Sequence, residues 1–173
     1  MSIRVEELET RFSLDGATFS LLGGERAIVT PAREMILSKG DLPPAWEERP
    51  VRPTDQPRFG QRDYAASRFV MSGGDGERAA VIFEAVVYRD QSTAAAVLAG
   101  TLGKIGFLRL SKIDLGDVGA MIEVPGKAGR RMRAIAFVER NVFGLVMLSC
   151  RSDCSASDSW LISMARLMAS RMR

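Results

Sequence analysis

The chain alternates short apolar runs with tight polar turns, and the clearest case lies near its C-terminal end. Met132 to Glu139 and Val142 to Cys150 flank Arg140-Asn141, which predicts a hairpin. Its second arm carries Val142, Phe143, Leu145, Val146, Met147 and Leu148. A strand so apolar on both faces belongs in the middle of a sheet. Tyr64 to Met71 and Ala79 to Tyr88 flank Ser72-Gly-Gly-Asp-Gly76, a second hairpin signal. The latter strand sets Val81, Phe83, Ala85 and Val87 on one face and Ala80, Ile82, Glu84, Val86 and Tyr88 on the other, so it too reads as central. Leu115-Gly-Asp117 makes a turn before a strand at Val118 to Val124, and Pro125 to Gly129 makes another after it.

Helical spacing appears in three places. Thr30-Pro31 opens a short helix over 31–38, with Met35, Ile36 and Leu37 for contacts. Asp90 caps a helix over 92–102 with Ala94, Val97, Leu98, Thr101 and Leu102 along one stripe, closed by Gly103 and Gly106. Ser157 caps a last helix over 158–172, with Leu161, Met164, Ala165, Met168 and Met172 along its inner face. Ala17 to Leu22 and Arg26 to Val29 read as short extended pieces. Leu42 and Trp46 dock a proline-bearing loop, and 47–63, with Phe59 as its aromatic, reads as an irregular surface excursion. The expectation is one α+β domain over 1–173, an antiparallel β-sheet with the 92–102 and 158–172 helices packed together on one face. The opposite face, or a cleft beside 47–63, is then left for a partner or ligand.

Composition changes this picture by exclusion. The 173 residues, 46% hydrophobic and 26% charged, suit a globular domain with a real core. There is no histidine, so no Ser-His-Asp or Cys-His arrangement exists and no imidazole moves protons near neutral pH. Two cysteines without histidine make no structural zinc site within one chain. No apolar run reaches the length of a membrane-spanning helix, and the charged start does not resemble a secretory signal. The compartment stays open: cytoplasmic if Met1 is the native start, extracytoplasmic if a leader has been removed.

Charge is uneven. Residues 1–126 hold 15 basic and 18 acidic residues, while 127–173 hold nine basic and three acidic. Lys127, Arg130, Arg131 and Arg133 cluster at a hairpin and form a candidate surface for a partner or an anion, although a solvated charged face is the simpler reading. Aromatics are 7%, too few interleaved with these cations for nucleic-acid stacking, and nucleic acid is not expected.

Other patterns carry less. Gly100-Thr-Leu-Gly103-Lys-Ile-Gly106 lacks the Ser or Thr of a phosphate loop and reads as a helix end. Asp114, Asp117 and Glu123, and the Glu47-Glu48 pair, read as surface charge rather than as facing catalytic carboxylates. Cys150 and Cys154 fit a local disulfide or two free thiols in preference to a redox pair. The methionines of the last helix read as core rather than as an adaptable docking groove. No cofactor is implied.

Several of these motifs resemble a family. Met35-Ile-Leu37 leading into Asp41-Leu-Pro-Pro-Ala-Trp46 is similar to the helix and "DLPxGW" opening of small bacterial PsbP-like domains, with Ala45 where glycine is usual. Tyr88-Arg-Asp90 and its alanine-rich helix, the Leu115-Gly-Asp117 turn, Arg140-Asn-Val142 without the family's glycine, and Met164 to Ala169 resemble later family elements. The resemblance covers 31–173 and implies a Mog1/PsbP-like sandwich. Such domains are usually non-enzymatic envelope lipoproteins, accessory factors, binders or chaperone-like adaptors. The chain departs from the envelope members in lacking a signal and a lipidation cysteine near its start. The function expected is therefore a non-catalytic binding or accessory module engaging a protein partner, a second copy of itself or a small apolar ligand. The alternatives are a structural subunit of a larger assembly and a small enzyme using carboxylates or Cys150 and Cys154.

Overall fold

The computed structural model describes residues 27–51, 60–104, 109–124, 126, 128–151 and 156–173. These form a seven-stranded, wholly antiparallel sheet: β1 (Trp46–Arg49), β2 (Gln61–Gly73), β3 (Gly76–Tyr88), β4 (Arg109–Ile113), β5 (Val118–Val124), β6 (Arg130–Glu139) and β7 (Val142–Arg151). The spatial order is β1-β2-β3-β7-β6-β5-β4. The chain leaves the centre of the sheet after β3, passes through a helix, and enters the far edge at β4. It then returns strand by strand until β7 pairs with β3. This places the two apolar strands, β3 and β7, side by side in the middle, as their patterns require. Among the described residues the helices are α1 (Ala32–Met35), α2 (Gln91–Lys104) and α3 (Asp158–Ser170), with a 3-10 turn at Lys39–Asp41.

The helices do not share a face, contrary to expectation. Alternate residues of a strand point to opposite sides. Phe83, Ala85, Ile135, Phe137 and Val146 pack with Leu161, Ala165 and Met168 of α3, and with Ala32 and Met35 of α1. Val86, Tyr88, Ala136, Val138 and Phe143 pack with Ala94, Leu98 and Leu102 of α2. The sheet thus has apolar neighbours from its own chain on both sides. The continuous apolar character of β3 and β7 reflects two helical layers, not one layer and a waiting partner.

Local departures have local causes. The first helix stops at Met35 because Ile36 turns extended, and Pro31 sits at the cap position rather than inside. Its Ala32 amide is instead satisfied by Asp63, whose Oδ2 accepts at 2.7 Å. Trp46–Arg49 is a paired edge strand, not part of an irregular excursion; only Trp46 of the four is buried, so its pattern is hidden. Arg109–Ile113, expected as connecting chain, is the opposite edge strand. The buried stripe of α2 is Ala94, Ala95, Leu98, Ala99 and Leu102, rotated away from Val97 and Thr101. Met164 is only half-buried, while Leu161, Ala165 and Met168 form the buried stripe of α3. The expected extended piece at Ala17 to Leu22, Phe59 and Gly106 lie outside the described residues.

Three side-chain ties close the core. Asn141, 3% exposed, accepts from the Ile28 amide at 2.6 Å and donates to the Tyr88 carbonyl at 3.0 Å. Arg171 donates to the Ile36 carbonyl at 3.0 Å and to Asp41 at 2.5 Å, pinning the end of α3 to the loop before β1. Burial opposes the charge of Asp41, but hydrogen bonds from Arg171 and Ser38 outweigh it and hold the carboxyl below its ordinary range. Trp46 stacks on Trp160 of α3, with ring centroids 5.5 Å apart and planes 5° from parallel.

Candidate functional site

Helix α3 lies over β6 and β7 and stops short of the β4 edge, which leaves a groove of about 290 Å³ between α3 and strands β4–β6. Pairing of the three strands fixes its floor in successive rows. Arg109, Glu123 and Arg133 stand at one level on β4, β5 and β6. Ser111 and Met121 form the next level, and Ile113 lies beyond them. Asp158 and Ile162 of α3 supply the wall, and Arg131 lies at the charged end.

Arg133 is the most unusual residue of this site, since it is a charged side chain only 6% exposed. Its Nη1 donates to Asp158 at 2.5 Å, and its Nη2 donates to the Ala156 carbonyl at 2.6 Å and to Cys150 Sγ at 3.8 Å. These bonds tie the N-terminal turn of α3 to the sheet. Burial penalises the guanidinium, but the hydrogen bonds to Asp158 and Cys150 more than compensate and raise its pKa above the ordinary value. Its Nε is buried and has no acceptor among the described residues. A buried N–H without an acceptor costs roughly 1–3 kcal/mol. Arg131 pairs with Glu123 at 3.3 Å, and Arg109 has no ion-pair partner among the described residues.

A second hollow of about 390 Å³ lies by the stacked tryptophans, lined by Pro43, Trp46, Met71 and Trp160. No charged group lines it among the described residues. Among the described residues, no three of Asp, Glu and Cys come together as a metal site, and no helix is long and apolar enough to cross a membrane.

The basic cluster read from the sequence is divided by the sheet. Arg131 and Arg133 face the groove, whereas Arg130 points to the other side, donating to Ser149 at 2.9 Å and to the Glu77 carbonyl at 3.0 Å. Lys127 lies outside the described residues. Cys150 is a buried thiol beside Arg133, and Cys154 also lies outside the described residues. Arg109, Ser111 and Ile113 escaped the sequence reading. Their strand is an edge with mixed residues on both faces, so no period-two apolar signal marks it.

No family model matches the chain, and no curated protein matches it. Among solved structures, the extracellular domain of PknH from Mycobacterium tuberculosis is similar at a TM-score of 0.44 and 13% identity, over 99% of this chain and 97% of that one.

Proposed function

We propose that the protein is a non-catalytic binding module and that its ligand is received in the groove between α3 and strands β4–β6. The observation that carries this reading is the groove itself, a hollow of about 290 Å³ in which Arg109, Ser111 and Arg133 stand beside Ile113, Met121 and Ile162. The mixture of a few placed polar groups with Ile113, Met121 and Ile162 is the usual composition of a ligand site. The two acidic residues, Glu123 and Asp158, are each engaged by an arginine, and the chain has no histidine to act as a base. This favours recognition over catalysis. The resemblance of the motifs to PsbP-like domains, whose members usually bind rather than catalyse, points the same way. The helices on both faces favour a small ligand over a partner spread across the sheet.

The test is a fragment titration of the ¹⁵N-labelled chain followed by amide shifts. Binding fragments should move Ser111, Met121 and Ile162 together, and Ser111→Phe should abolish those shifts while thermal unfolding stays within a few degrees of the parent. Shifts that survive Ser111→Phe unchanged, or that gather at Trp46 and Trp160 instead, refute the assignment.

A further inference from the structure

We infer that the ligand of this groove is a short, extended, acidic segment of a partner protein that joins β4 as an eighth strand, which rests on the binding-module reading and names its partner class. Three observations converge. The first is where the groove opens. Helix α3 walls it on one side, and on the other its floor ends at β4, the last strand of the sheet. β4 pairs with β5, and among the described residues its outer main-chain N–H and C=O groups meet no further strand. Such a row of main-chain groups is a template for one more strand.

The second is shape. An added strand sends alternate side chains to the two faces of the sheet. Those on the α3 side would follow Arg109, Ser111 and Ile113 over the groove floor. Ser111, Ile113 and Met121 are only half-buried, so the chain does not seal that floor itself. A volume of about 290 Å³ is small for a whole ligand and suits a few side chains of a segment whose main chain stays at the edge. The third is charge. Arg109 and Lys112 are exposed on opposite faces of β4, which has no acidic residue of its own. Neither cation has an ion-pair partner among the described residues, and Glu123, level with Arg109, is engaged by Arg131. Asp114, just beyond the strand, offsets one of the two charges at most. Two β4 edges brought together would oppose like charges, which disfavours a second copy of this edge. An acidic strand is matched to both cations.

The experiment titrates the full ¹⁵N-labelled chain with the end-capped peptide Val-Glu-Thr-Val-Glu and separately with its counterpart carrying Lys for each Glu. In antiparallel register the acidic peptide sets its Glu residues opposite Lys112 and Arg109 and its Val residues opposite Ile113 and Leu110. It should shift the amides of Leu110, Ser111 and Lys112 together with Ile162, and bind at least about tenfold more tightly than the basic peptide, as two matched cross-strand charge pairs against two opposed ones require. N-methylation of one alternate set of peptide nitrogens should abolish the shifts and of the other set should leave them, because only one set faces β4. Arg109→Glu with Lys112→Glu should reverse the preference, and with both side chains exposed the unfolding temperature should stay within a few degrees of the parent. Equal binding of the two peptides, binding of neither, indifference to both methylated sets, or a preference that the double substitution does not alter overturns the inference. Peptide shifts gathered at β1, the opposite edge, or sedimentation of the free chain as a dimer joined through β4, overturns it as well. In each of these cases fragment shifts at Ser111, Met121 and Ile162 leave the binding-module reading intact; if the fragments fail there too, both fall.

Discussion

At the scale of single residues, the fold depends on a few polar side chains buried where chain segments meet. Asn141 is the clearest. Its amide exchanges two hydrogen bonds with the Ile28 backbone, at 2.6 and 3.2 Å, and reaches the Tyr88 carbonyl. It joins a segment 113 positions away to the end of β3 and the β6–β7 turn. Asn141→Ala would leave these buried groups without their partners. The expected cost is about 3 kcal/mol, read as a lower urea midpoint with an unchanged slope, because desolvated donors and acceptors would lose their partners in the folded state only. A loss under 1 kcal/mol would mean that water replaces the side chain. Sequence pointed to Asn141 only as a turn residue. Its tie to Ile28 could not be read, because nothing local links positions so far apart. The same holds for Arg133. Its charge was plain in the chain, but its burial follows from α3 closing over β6.

At the scale of elements, the caps were readable and the edges were not. Ser157 accepts from the Trp160 amide at 3.1 Å and Asp90 from the Thr93 amide at 2.8 Å, at the helix starts that their residue types signalled. The Thr93 amide and hydroxyl, with Arg89 beside them, hold the Asp90 carboxyl below its usual range. A depressed folded pKa gives stability that is complete above the unfolded value of about 4 and lost as pH falls through the folded one. Asp90→Ala should therefore cost about 1 kcal/mol at pH 7. Asp90→Asn, which keeps an acceptor but cannot titrate, should flatten the decline in stability below pH 4, as measured by thermal unfolding across pH. An unchanged acid slope would show that the Asp90 cap does not contribute to it. The edge strands β1 and β4 were missed for the same physical reason. Trp46–Arg49 buries one side chain of four, and Arg109–Ile113 buries none fully, so main-chain pairing rather than an apolar pattern defines them. The central strands were legible because burial on both sides leaves a continuous apolar run.

At the scale of the whole molecule, the antiparallel sheet was foreseen and the layering was not. Apolar residues on both faces of β3 and β7 are compatible with a partner or with a second helix, and the strand pattern does not distinguish them. The connection through α2 decides the matter. It carries the chain from the centre of the sheet to its far edge across one face, while α3 returns over the other. The groove is a consequence of that layout. A 13-residue helix covers the middle strands and leaves the β4 edge open on the same side. A period-two reading of Arg130, Arg131 and Arg133 contained the division of the basic cluster between two faces. What it lacked was β4, which brings Arg109 into line. The central claim is that the groove between α3 and strands β4–β6 receives a ligand. The most direct measurement is the fragment titration of the ¹⁵N-labelled chain. The account predicts amide shifts gathered at Ser111, Met121 and Ile162. Shifts gathered at Trp46 and Trp160 instead, with none in the groove, would contradict it.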